Sequence, residues 1–110
     1  MVKVSESPKL LSYLGLASKA RKLVSGADAC EIAIKGGKAK VVIISGDTGE
    51  NTAKHFSDMA QYRGLPCYQL SGDGLGSAIG YPTRKTVCIT DLGFAQAVIN
   101  EINLNLGVTK

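Results

Sequence analysis

Cys30, Cys67, Cys88 and His55 are the side chains from which a nucleophilic or metal site would have to be assembled. The cysteines are odd in number, far apart and without a C-x-x-C pair, and one histidine does not complete a zinc set. They read as reduced, buried, apolar residues; the alternative is a thiol nucleophile beside His55. Asp47 and Glu50 suit a turn and a helix start better than an acid–base pair. The run Gly72 to Gly80 is superficially like a nucleotide loop. A dinucleotide fingerprint beginning at Gly72 needs its third glycine where the chain has Ser77, and the run lies late in the chain. Its glycines are expected to shape a helix start and a close helix-to-sheet contact. With no P-loop, nucleophile elbow or H-E-x-x-H pattern, the sequence predicts no enzyme, no cofactor and no metal.

Binding chemistry is better represented. Residues 19–40 carry Lys19, Arg21, Lys22, Lys35, Lys38 and Lys40 against only Asp28 and Glu31, while the rest of the chain is balanced. The net charge of +4 is therefore local, as phosphate contact requires. From charge alone, a solvated helix face with incidental lysines is the reading to prefer.

These residues need a scaffold, and 110 residues of 45% hydrophobic composition suffice for one domain with one core. Ser7-Pro8 opens a helix expected to reach about Lys22, with Leu10, Leu14 and Ala17 on its apolar side. Leu23-Val24 can form a very short strand. Ser25 with Asp28 three residues later resembles a capping box before a second helix, which stops at Gly36-Gly37. Lys40 to Ser45 is a strand of the kind buried on both faces, followed by the Gly46–Gly49 turn and a helix from about Glu50 to Arg63. Pro66 to Leu70 is a strand, Ser71 to Gly74 caps a short helix, Thr86 to Thr90 is another strand, and Asp91 caps the last helix. Strands alternating with helices predict an α/β fold: a single-domain three-layer α/β/α sandwich over residues 1–110, with a central mixed sheet of about four strands. The longest uninterrupted apolar run, Val41 to Ile44, is far short of a bilayer span, and no basic-then-apolar leader is present. A cytoplasmic location away from membranes is expected.

The second helix has an unusual face. Cys30, Ala33, Ile34 and Gly37 fit its buried side, which leaves Ala29, Ile32 and Gly36 as a second stripe, small or apolar where a solvated helix is normally charged. This stripe is either a second core contact or a surface.

From Leu10 to Ile99 the chain resembles the kink-turn-binding family of large-subunit ribosomal proteins, in particular its small bacterial ribosome-associated members. The likeness is carried by Leu14-Gly15-Leu16-Ala17, Lys22-Leu23-Val24-Ser25-Gly26, Gly37-Lys38-Ala39-Lys40-Val41-Val42-Ile43-Ile44, Gly64-Leu65-Pro66, Leu75 to Gly80 and Thr90 to Ala95, with Asp47 and Glu50-Asn51-Thr52 between them. The resemblance implies the sandwich fold and RNA binding through a G-x-N-E-x-x-K helix start and an apolar loop packed on an extruded base. The glycine falls on Gly26, with Ala27 after it, and the asparagine on Asp28. The glutamate falls on Ala29, the lysine on Ile32, and a frequent later arginine on Gly36, so the glycine alone is kept. Lys19, Arg21, Lys22, Lys38, Arg84 and Lys85 remain to meet phosphate, and Tyr81 is placed to stack on an unpaired base or to cover the sheet end. The expected partner is ribosomal or other structured RNA, in the setting of translation and ribonucleoprotein assembly. The alternative is a protein-binding or homodimer surface on the Ala29/Ile32/Gly36 stripe, with kink-turn binding lost. The sequence leaves the oligomeric state open.

Overall fold

The computed structural model describes residues 1–108. Five strands, β1 (Val2–Val4), β2 (Leu23–Ser25), β3 (Val41–Ile44), β4 (Cys67–Leu70) and β5 (Thr86–Ile89), form one sheet in the order β1-β4-β3-β5-β2. β1, β4 and β3 run parallel, and β5 runs antiparallel to both of its neighbours, β3 and β2. The strand beyond the expected four is β1, a three-residue edge segment that registers Val2 with Tyr68 and Val4 with Leu70. Nothing local marks so short a strand; its existence depends on β4 offering an edge.

Five helices, α1 (Pro8–Lys19), α2 (Ala27–Lys35), α3 (Glu50–Tyr62), α4 (Leu75–Ile79) and α5 (Leu92–Val108), cover the two faces. The pleat of the strands decides which helix goes where. Val41, Ile43, Val87 and Ile89 point to a layer filled by Leu10 and Leu14 of α1, Leu75 and Ile79 of α4, and Val98 and Ile102 of α5. Val42, Ile44 and Cys88 point the other way, onto Cys30 and Ile34 of α2 and Phe56 and Ala60 of α3. The α/β/α sandwich follows.

Local signals held at α1, where the Ser7 side chain accepts from the Leu10 amide at 3.1 Å, and at α5, where Asp91 accepts from the Phe94 amide at 2.9 Å. Three differed. α1 stops at Lys19, because Arg21 takes φ 58° and the Lys22 amide turns back to the Ala17 carbonyl. α2 starts without a capping box: Gly26 is its N-cap, with no side-chain cap, since the Ser25 backbone is committed to pairing with Val87. Ser71 likewise does not cap α4; its hydroxyl accepts from the Glu6 amide, and Glu6 in turn accepts from the Gly74 amide.

Cys30, Cys67 and Cys88 share the α2/α3 layer, the first and last fully buried. The Cys30 thiol points at the Thr86 and Val24 carbonyls, 3.5 and 3.7 Å away. Burial pushes the Cys67 thiol up to about 11, and hydrogen bonding with Cys30 together with burial pushes Cys88 strongly upward. Reaction needs thiolate, so the native protein should resist a thiol-specific chromogenic reagent near neutral pH and react with all three groups on unfolding. The Cys67 contribution to stability is complete below the ordinary thiol value of 9.0 and is lost as pH rises through about 11. Rapid labelling of the folded chain at neutral pH would contradict this burial.

Candidate nucleic-acid interface

Because β5 is antiparallel to both neighbours, its first residues lie beside the last residues of β2 and β3. Three loops therefore meet at one end of the sheet: the start of α2 after β2, the turn after β3, and the segment leading into β5. The Gly26 amide donates to the Thr86 carbonyl at 2.9 Å, and the Ser45 amide to the Lys85 carbonyl at 2.8 Å. Between them lies a cleft of about 720 Å³, lined by Ser25 to Ala29, by Thr48, Gly49 and Thr52, and by Thr83 to Thr86.

Arg84 is the best-fixed cation on this cleft. Its Nη1 donates to the Ser25 carbonyl at 2.6 Å, and its guanidinium lies 5.4 Å from the centroid of the Tyr81 ring. A guanidinium stacked on an aromatic face and tethered by one arm keeps its other donors directed outward. Tyr81 itself is half exposed, at the mouth of a second depression of about 250 Å³ that also contains Arg21, Ser18 and Leu23. Lys85 pairs with Asp47 at 3.4 Å. Asp47, held below the usual carboxylate range by the Ser45 hydroxyl and then by Lys85, faces that lysine and does not line the cleft.

The structure thus brings together Gly26, Ala27, Asp28, Ala29, Arg84 and Lys85, with Tyr81 and Arg21 alongside and Asp47 behind Lys85. It separates Lys22 and Lys38. The Lys22 carbonyl accepts from Thr90, at the far end of β5, and Lys38 follows the far end of α2. Lys19, the last residue of α1, lies at that far end too. Ile32 points to solvent at 72% exposure, so the second stripe of α2 is surface and not core.

Sequence reasoning missed the hydroxyl lining. Thr48 and Thr52 converge with Thr83 and Thr86 from two separate segments, and only the antiparallel placement of β5 beside β3 unites them. The Thr48 Oγ1 atom is buried with no hydrogen-bond partner, a donor and acceptor left open beside the cleft. His55, expected on a helix surface, is there, with Nε2 2.9 Å from Glu31 Oε1. Among the described residues no three His, Cys, Asp or Glu side chains come together as a metal site, and no helix is long and apolar enough to cross a membrane.

The chain is a three-layer sandwich whose sheet ends in a hydroxyl-lined cleft with an uncapped helix start and a tethered guanidinium, the architecture of a ribosomal-protein-type domain. The chain belongs to the ribosomal protein L7Ae/L30e/S12e/Gadd45 family, whose sequence profile matches residues 8–99. It is 40% identical over 88 residues to the RNA-binding protein YlxQ of Bacillus subtilis, covering 79% of this chain and 88% of that one. Identity to the RNA-binding protein YlxQ of Enterococcus faecium is 37% over 89 residues, 80% of this chain and 85% of the relative. A solved protein of unknown function from Bacillus halodurans superposes with a TM-score of 0.82 at 33% identity, over 88% of this chain and 99% of that one. The Giardia lamblia 15.5kD RNA binding protein shares the fold at a TM-score of 0.74 and 16% identity, over 90% and 92% of the two chains.

Proposed function

We propose that this protein is a non-enzymatic RNA-binding protein that seats structured RNA on the cleft between the α2 start, the turn after β3 and the Tyr81–Lys85 loop. The observation that carries the reading is Arg84, fixed between the Ser25 carbonyl and the Tyr81 ring on a cleft whose lining also offers Lys85 and backbone donors of α2. Family membership and the two RNA-binding relatives support the same ligand class. Phosphate supplies most of the affinity, and Tyr81 meets an unpaired base. A kink-turn is the structured RNA the family points to, and ribosome-associated work in the cytoplasm is the setting.

The charge changes on α2 set the ligand preference. Asp28 accepts hydrogen bonds but donates none, unlike an asparagine amide, and Ala29 and Ile32 offer no polar group at all. The cations around the cleft then do the holding. With Arg21, Arg84 and Lys85 engaged, the logarithm of the binding constant should fall against log salt with a slope of about −2 to −3. Titrating a labelled kink-turn and an equal-length plain duplex at two salt concentrations tests both parts. A kink-turn preference above about tenfold, roughly 1.4 kcal/mol, supports shape-specific recognition. Equal, salt-dependent binding to both supports phosphate contact alone. No binding to either removes the RNA reading in favour of a protein partner on the exposed Ile32 face.

A further inference from the structure

The end of the molecule opposite the cleft is also basic, and its composition is not explained by the cleft. β2, β3 and β4 begin there, and α1, α2 and α3 end there, so Lys19, Lys22, Lys35, Lys38, Lys40 and Arg63 gather at one pole. The Lys40 amide donates to Ile89 and the Lys22 carbonyl accepts from Thr90, which places these two backbones on either side of β5, about 10 Å apart at two strand spacings. None of the six makes an ion pair among the described residues. Carboxylates of the same elements are otherwise engaged: Asp91 accepts from the Phe94 amide, Asp58 pairs with Lys54 at 2.8 Å and Glu31 with His55 at 2.9 Å. Helix dipoles account for one cation at each helix end, but the chain places more there than three helix ends call for.

A second feature at this pole has no structural role. Tyr62, on the last turn of α3, is 86% exposed, and the Arg63 guanidinium lies 5.9 Å from its ring centroid. Tyr62, Arg63, Lys35 and Asp58 border a groove of about 440 Å³ between α2 and α3, floored by Ile34 and Met59, with Asp58 neutralised by Lys54 at 2.8 Å. An uncovered aromatic face with an apolar floor and cations on both sides suits an unstacked base with its flanking phosphates.

We propose that this pole is a second RNA-contacting surface, on which Tyr62 stacks on an unpaired base while Lys35, Lys38, Lys40 and Arg63 meet the adjoining phosphates. The inference shares with the proposed function only the class of ligand, and none of its residues lines the cleft. The molecule measures 34 × 27 × 25 Å, so occupation of both poles lets one protein hold two RNA segments apart.

The test is fluorescence anisotropy of the full chain with a short labelled single-stranded RNA. Tyr62→Ala should weaken binding about tenfold and Tyr62→Phe should leave it within about twofold, since the ring does the stacking. Replacing Lys35, Lys38 and Lys40 together with Gln should flatten the salt slope by about 2. The counterpart variant Arg84→Ala, at the cleft, should retain single-strand binding. Unchanged affinity and slope in the Tyr62 and lysine variants overturn the second surface even where Arg84→Ala loses binding. Absence of single-strand binding by the unaltered protein also overturns the second surface, while the cleft is judged separately by the kink-turn and duplex titration. Tyr62 and the lysines lie outside the core, so thermal melting should be the same for each variant and rule out misfolding as a cause of loss.

Discussion

Gly76→Ala should lower the melting temperature by roughly 5–20 °C and weaken RNA binding about tenfold, although residue 76 touches no ligand. The position lies inside α4, and a methyl group there would sit 2.7 Å from the Pro82 carbonyl oxygen, 2.8 Å from that of Tyr81 and 2.9 Å from that of Arg84. All three obstacles are backbone, so no side-chain rotation relieves them and the loop itself must move. Overpacking of this kind costs about 1–3 kcal/mol, and each kcal/mol is worth roughly 4–8 °C in a domain of this size. The displaced loop carries Tyr81 and Arg84, so affinity falls together with stability. The melt and the anisotropy titration are both decisive, because a variant that melts normally and binds normally would mean that the loop does not rest on α4.

Gly26→Ala should separate the two effects differently. Gly26 is the N-cap of α2 with φ 93° and ψ 155°, a region in which only glycine is at ease, so alanine should cost about 1–3 kcal/mol through the backbone alone. Its methyl would also lie 2.5 Å from Nη1 of Arg84. That obstacle is the end of a flexible side chain and moves cheaply, but in moving it gives up the Ser25 carbonyl. Stability is therefore lost through φ and binding through Arg84. In an Arg84→Ala background the same glycine change should cost the same stability and no further affinity. Equal affinity losses in both backgrounds would show that Arg84 is not the group through which Gly26 acts.

Much of this scaffold is legible in the residues. The Val41–Ile44 run announced a strand buried on both faces, Ser7-Pro8 a helix start, and Asp91 a cap, because each signal is completed within a few residues. The elements that escaped depend on distant partners. β1 exists because β4 has a free edge, and the missing cap of α2 reflects β2 claiming Ser25 for β5. The site divides along the same line. The family likeness led to Gly26 and its neighbours, and to Tyr81, Arg84 and Lys85, which the fold unites around one end of the sheet. Lys22 and Lys38 read as neighbours of Gly26 along the chain, yet a strand and a helix carry them to the opposite pole. The cleft threonines were silent because hydroxyls in turns are common and only topology makes them converge.

The place of β5 also sets an order of events. It is the last strand to be made, yet it lies between β3 and β2, and β2 has no other partner. A growing chain can pair β1, β4 and β3 and seat α3, but β2 and the start of α2 stay unanchored until Thr86 to Ile89 arrive. The binding cleft is thus the part of the molecule completed last, and its closure waits on contacts across some sixty residues of sequence. A partly synthesised chain can pair much of its sheet while the cleft itself is still missing one of its three walls.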